Sequence, residues 1–286
     1  MKEIFIKERE LEKLKEYELD NSIVTSESRL YYLKKYYNKP DVLLKKLFKP
    51  TDKIMDTKIQ TINTISRRKD LKELTELVIP KELVIARGKA IGFSMDEVEN
   101  SENLGVILND EKIPYSKKIE LLEKVGKLVH KTTNLKQDFF FGDLHEFNFI
   151  VDKDNKIHAV DLDSSTINDN TQIESKYLLL DYKIRHIKKY HSLYGVPLPD
   201  KNSDIYCYNM MIINTLSNMK TQWLKYEDYY NYIEYLSNIG VKDNIIEPLS
   251  KMYTEHDNEL ITDIKNSIPK DKDITYDGYK KLLKTK

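Results

Sequence analysis

The chain of 286 residues holds a single cysteine, Cys207, which excludes an intrachain disulfide framework. A reducing, cytoplasmic setting is the simplest expectation from that count. It also lacks a charge excess of either sign, with 47 Lys and Arg against 47 Asp and Glu. That balance argues against a nonspecific nucleic-acid or membrane footprint. No apolar run approaches the roughly 18 to 20 residues that span a bilayer. The opening MKEIFIKERELEKLKEYE is dense in both charges and has no apolar signal-peptide core. Several catalytic templates are missing as well: there is no GxxxxGK(S/T) loop, no GxSxG, no HExxH and no Cys/His cluster with zinc spacing.

What is present suffices for a core. Hydrophobic residues make up 40% of the chain, enough for one large domain or two modest ones. Residues 3–18 read as a charged amphipathic helix. Residues 22–49 read as extended, in the pieces SIVTS, RLYYLKKYY and DVLLKKLF, separated by polar breaks. The spacing of Ile54, Ile59, Ile62 and Ile65 predicts a helix within 54–76. ELVIARG and AIGFSMDEV follow as two strands joined near Gly88 and Lys89. SKKIELLEKVGKLVHKTT places Ile119, Leu122, Val125, Leu128 and Val129 on one helical face, with Ser116 as N-cap. From about residue 204 onward, apolar and tyrosine positions recur at helical spacing. The order predicts a two-lobed α+β protein whose lobes meet near residue 96. The 20 tyrosines carry no functional weight in this reading.

The stretch FFFGDLHEFNFIVDKDNKIHAVDLDS, Phe139 to Ser164, concentrates the chemistry. It reads as a β-hairpin with strands FNFIV and IHAVDL around the turn DKDNK. Asp143 precedes it, Asn148 opens it, and Asp161 and Asp163 close it. A carboxylate to orient a hydroxyl, with an amide and a carboxylate to hold Mg²⁺, is the equipment of phosphoryl transfer. Asp152, Asp154 and Asn155 do not make a calcium-binding EF-hand, because position six of such a loop needs glycine and Ile157 stands there between strands.

GDLHEFN followed by VDLD resembles the catalytic and metal-binding loops of the protein-kinase-like superfamily, which includes protein kinases and the aminoglycoside and choline phosphotransferases. By this resemblance Asp143 takes the place of the catalytic aspartate. Asn148 and Asp161 take the places of the metal ligands, 5 and 18 residues further on, and Asp163 is a second metal contact. VLLKKL, 98 residues ahead of Asp143 at Lys45, resembles the strand that carries the nucleotide-binding lysine. Leu43, on the same strand face, would then cover adenine. GFSMDEVENSENL resembles the hinge, with Met95 at the gatekeeper position and Asp96 to Val98 offering backbone groups to the nucleotide. NSDIYCYNMMIINTL resembles the helix that supports the catalytic loop, with Asp204 bracing that loop and His145 within it.

The resemblance implies a kinase-like domain with a small antiparallel-sheet N-terminal lobe, residues 1–96, and a mainly helical catalytic lobe, residues 97–286. It implies ATP and Mg²⁺ as cofactors, and γ-phosphate transfer to a Ser/Thr hydroxyl of a protein. A small-molecule acceptor and a pseudokinase scaffold are the alternatives. No nucleic-acid partner and no membrane segment are expected. The chain departs from the pattern in four places. SIVTSESR has no glycine where a glycine-rich loop is expected, and the 54–69 helix has no glutamate for Lys45. For that partnership Asp56, Gln60, Glu73 and Glu76 stay open. The metal motif reads Asp161-Leu162-Asp163 without its glycine, and His145 replaces the lysine of protein kinases, as GDLH does in small-molecule phosphotransferases.

Overall fold

The computed structural model describes residues 1–17, 28–33, 41–48, 52–167, 200–221, 224–252 and 258–285. Among them the chain runs β1 (Lys2–Phe5), α1 (Glu8–Leu11), β2 (Ser28–Tyr32), β3 (Val42–Leu47), α2 (Asp52–Ile65), α3 (Lys69–Lys72), β4 (Glu82–Ala86), β5 (Lys89–Asp96), β6 (Glu102–Asn103), α4 (Leu104–Asn109), α5 (Tyr115–Thr133), β7 (Phe149–Val151), β8 (Ile157–Ala159), α6 (Lys201–Ser217), α7 (Tyr226–Asn238), α8 (Asp243–Lys251) and α9 (Tyr276–Thr285). The class is α+β. Two compact units emerge, one of Met1–Val106 with residues 147–167, the other of Ile107–Glu146 with residues 200–285. The β7–β8 hairpin falls in the first of these units.

The first unit is built on a five-stranded sheet in the order β1-β4-β5-β3-β2. It is mixed, and the expectation of a wholly antiparallel sheet is corrected: β1 runs parallel to β4, from Lys2 opposite Glu82 to Phe5 opposite Ile85. The helix expected over 3–18 is corrected with it. Lys2–Phe5 is a strand and only Glu8–Leu11 is helical. The charges that suggested a solvated helix face are those an edge strand tolerates, since one side of such a strand meets water. The strand SIVTS lies outside the described residues except for its neighbour Ser28.

Both faces of the sheet are covered. Leu43, Leu47, Leu83, Phe93 and Met95 pack against Met55 and Ile62 of α2. On the opposite face Val42, Leu44 and Val84 pack with Ile6, Leu11 and Leu14. That is why β3 reads as nearly continuous apolar sequence with no in–out alternation. The β4–β5 turn has positive φ at Arg87 and Gly88, the geometry that a two-residue hairpin needs. At Gly92 in β5 a Cβ would lie 1.9 Å from the Lys45 carbonyl oxygen, so only glycine allows β5 to pair with β3 at that point.

A second, three-stranded sheet has the order β6-β7-β8. Its hairpin register, Phe149 opposite Ala159 and Val151 opposite Ile157, agrees with the strand periodicity of the sequence. The turn is closed by Asp152, whose Oδ1 accepts the N–H groups of Asp154 and Lys156 at 2.9 Å. β8 is tied to the segment after α3: Ala159 N–H donates to Glu76 O at 2.7 Å, and Val78 N–H to Ala159 O at 3.0 Å.

The second unit is helical. α5 begins at Tyr115 with Pro114 at the N-cap, two residues before the expected cap at Ser116. It buries Ile119, Leu122, Val125, Leu128 and Val129 as its periodicity predicts. Each such side chain contributes about 1.5–3 kcal/mol by leaving water. α6 is buried nearly all round, and a Cβ on Gly126 of α5 would meet the Tyr208 hydroxyl at 2.3 Å. The tyrosines have a packing role here. Tyr232 of α7 meets the ring of Tyr276 edge-on at 5.4 Å, and Tyr235 meets Tyr279 of α9 at 5.4 Å. The expected run of helix is interrupted, since residues 258–275 are irregular. Among the described residues no helix is long and apolar enough to cross a membrane.

Candidate functional site

In the first unit, β3 presents Lys45 on the face that meets α2, between the buried Leu43 and Leu47. Its ammonium lies 5.8 Å from the Phe93 ring centroid. Two carboxylates close on it from just beyond β8. Asp161 pairs with it directly, and Asp163 Oδ1 lies 2.6 Å from Lys45 Nζ. The long-range approach is a product of topology. Val160 N–H donates to Asn148 O at 2.9 Å, continuing the β7–β8 ladder, and the chain then turns at Asp161 into a single 3-10 turn, Leu162–Ser164. Asp161 has φ 64° and ψ 40°, a left-handed conformation that non-glycine residues adopt at a cost.

Lys45 therefore finds acidic partners in Asp161 and Asp163. The place expected for a helix glutamate is filled by the opposite charge, since α2 contributes Lys58, whose Nζ lies 3.3 Å from Asp163 Oδ2. The cluster holds two lysines and two aspartates. The Lys45, Lys58 and Asp163 side chains are 8%, 7% and 0% exposed, whereas Asp161 is 36% exposed.

The electrostatics follow from that enclosure. Burial pushes the Lys45 ammonium down, but Asp161 and Asp163 outweigh it and raise its pKa. Burial pushes the Asp163 carboxyl up, but Lys45 and Lys58 outweigh it and hold it well below the usual carboxylate range. For Asp161 burial wins: Lys45 pulls the group down, Asp163 pushes it up, and it stands at about 6. Two carboxylates sharing one ammonium are driven apart in acidity by their mutual repulsion.

Lys58 was not among the residues singled out from the sequence, although a signal existed. On α2 the buried positions include Met55, Lys58, Thr61, Ile62 and Ile65, so a lysine occupies one step of a mainly apolar stripe.

The expected nucleotide-binding residues fall in two places. Leu43 and Met95 are buried opposite one another across β3 and β5 and belong to the core. Asp96 is exposed and pairs with Lys81. Asp96 and Val98 instead line a pocket of about 710 Å³ together with Lys81, Glu82, Asp152 and His158, and Leu43, Lys45 and Met95 are absent from its walls.

In the second unit, Asp143 follows Gly142, whose φ of +71° suits glycine. Asp143 N–H donates to Phe141 O at 2.7 Å. His145 Nε2 lies 3.5 Å from Asp143 Oδ2, and both side chains are mostly buried. The segment is tied to α6 by Asp204, whose Oδ2 accepts the Phe141 N–H at 2.9 Å. Asp204 is buried on the first turn of α6, whose N-cap is Asp200. Burial pushes the Asp204 pKa up to about 8, against the pull of the Phe141 and Gly142 N–H groups. Residues 22–27, where a phosphate-binding loop was sought, lie outside the described residues.

Compared with known protein families and with curated proteins, the chain matches neither a family model nor a curated sequence.

Proposed function

We propose that the chain is an ATP- and Mg²⁺-dependent phosphotransferase on a protein-kinase-like fold, with a Ser/Thr hydroxyl of a protein as acceptor. The observation that carries this reading is the ion pair of Lys45 with Asp161, two residues 116 positions apart. The resemblance assigns one to the nucleotide phosphates and the other to the metal. In phosphoryl transfer those two roles must converge on one triphosphate.

The donor set suits a hard divalent cation, which prefers a few protein oxygens and fills the rest of its shell from phosphates and water. Asp161, with its partly exposed carboxylate, and Asn148 would hold it. Asp163 is reassigned from metal contact to counter-ion, because both of its oxygens face lysines. When bound, the metal neutralises phosphate charge. Lys45 carries a fixed positive charge to the same phosphates. Asp143 orients the acceptor hydroxyl and accepts its proton late in the transfer. Asp204 holds the backbone ahead of Asp143 through Phe141.

A second reading is a nucleotide-binding or scaffold module without transfer. It is favoured by the lysine, Lys58, that α2 brings to the cluster and by the engagement of Lys45 with both aspartates.

The test is γ-phosphate transfer from labelled ATP and Mg²⁺ to protein and small-molecule acceptor panels. Label transfer is expected, falling about 10²–10⁴-fold in Asp143→Ala. Transfer that survives the substitution refutes the role of Asp143. Labelling of small molecules alone refutes the protein acceptor. Absence of thermal stabilisation by millimolar ATP and Mg²⁺ refutes both the enzyme and the nucleotide module.

A further inference from the structure

The two aspartates that face Lys45 are not equivalent. Asp163 is fully enclosed, with Oδ1 at 2.6 Å from Lys45 Nζ and Oδ2 at 3.3 Å from Lys58 Nζ. Its carboxylate thus bridges a cation from β3 and a cation from α2, and it sits on a 3-10 turn whose residues Leu162, Asp163 and Ser164 are all buried. Asp161 touches Lys45 as well, but its side chain is 36% exposed. It lies at the N-terminal edge of that turn, in a left-handed backbone conformation. Of the two, only Asp161 is open to solvent, and its carboxylate holds on the Lys45 ammonium a position that another anion can take.

We propose that Lys58 and Asp163 are positioning residues that fix Lys45 in a permanent buried triad, and that Asp161 is its exchangeable partner, replaced on Lys45 by a phosphate group of the substrate. The helix that would be expected to supply an anion for Lys45 supplies a cation for that anion instead. The pairing is relayed through Asp163. The phosphate half of the proposal rests on the nucleotide reading above, whereas the triad stands on geometry alone.

Two measurements on the whole chain test the halves separately. The first is reductive methylation of Lys45 with formaldehyde and cyanoborohydride, followed by peptide mass spectrometry. Lys45 is expected to react slowly in the native chain and in Asp161→Asn. It is expected to react on the order of tenfold faster in Asp163→Asn and in Lys58→Met, the ratio that about 1.4 kcal/mol of lost anchoring produces. Lys58→Arg should restore slow labelling. Equal unmasking by Asp161→Asn and Asp163→Asn overturns the triad, as does slow labelling in Lys58→Met. Should Lys58→Met not fold, the double variant Lys58→Met, Asp163→Asn removes both charges together and should recover the fold. Failure to recover overturns the pairing. The second measurement is calorimetric titration with pyrophosphate and with Mg²⁺-free ATP. Asp161→Asn should bind both on the order of tenfold more tightly than the native chain, and Asp163→Asn more weakly. Weaker binding by Asp161→Asn overturns the exchange. No binding by any variant, with the labelling order intact, overturns the phosphate half and the nucleotide reading and supports the triad.

Discussion

Asp204 makes the stability of this protein pH-dependent in a way that one substitution can isolate. The residue is 1% exposed. Its carboxyl accepts the Phe141 N–H at 2.9 Å, and burial raises its pKa to about 8. In the unfolded chain the same group titrates near its ordinary value of about 3.9. Below that pH the carboxyl is protonated in both states, and its favourable contribution is fully present. Between about 4 and about 8 the folded chain keeps a proton that the unfolded chain has released, so stability falls as pH rises. The slope is about 1.36 kcal/mol per pH unit, which amounts to about 4 kcal/mol from pH 5 to pH 8. Asp204→Asn removes this titration. At pH 5 the variant should be less stable than the native chain by about 1–3 kcal/mol, because its amide NH₂ has to meet a backbone donor. By pH 8 the difference should have shifted by about 4 kcal/mol in favour of the variant, which becomes the more stable of the two. Urea unfolding of both proteins at pH 5, 6, 7 and 8 gives the difference directly. Other titrating groups, such as Asp161 at about 6, are common to both proteins and cancel. A difference that does not change with pH refutes the protonated, buried Asp204.

Three further outcomes are expected. Lys45→Met strands the Asp161 carboxylate and leaves Asp163 with Lys58 alone, and it should cost about 3–5 kcal/mol in urea unfolding at pH 7, with loss of phosphate transfer. Unchanged stability would show that the cluster contributes nothing to the fold. Gly92→Ala drives a Cβ to 1.9 Å from the Lys45 carbonyl, so it should lower the calorimetric melting temperature by the equivalent of about 1–3 kcal/mol or more and weaken nucleotide binding by shifting Lys45. A neutral effect on both would contradict the β3–β5 register. Gly126→Ala meets the Tyr208 hydroxyl at 2.3 Å, and adding Tyr208→Phe should recover part of the loss. Strict additivity in that double-mutant cycle would refute the contact.

Where the argument from sequence succeeded, the forces were local. The β7–β8 hairpin was legible because period-two apolar residues flank a turn closed by Asp152, and α5 was legible because its apolar stripe repeats within the helix itself. α2 was legible for the same reason, but the meaning of Lys58 in its stripe was not. A lysine among isoleucines reads as a break in the pattern until its partner is known, and the partner lies beyond β8. β1 failed for a related reason: four residues with two charges have no signal of their own, and their strand state is conferred by the edge of β4.

The residue types of the candidate site, and their spacing along the hairpin, were thus set by the sequence alone. Tertiary structure decided which charges meet. Lys45 donates to carboxylates 116 and 118 positions away, and the helix beside it brings a second lysine in place of a glutamate. No local propensity encodes such a choice. It follows from the cost of burying charge: once sheet pairing encloses Lys45, it must be matched by whichever anions the chain brings within reach, and their excess by whichever cation comes next.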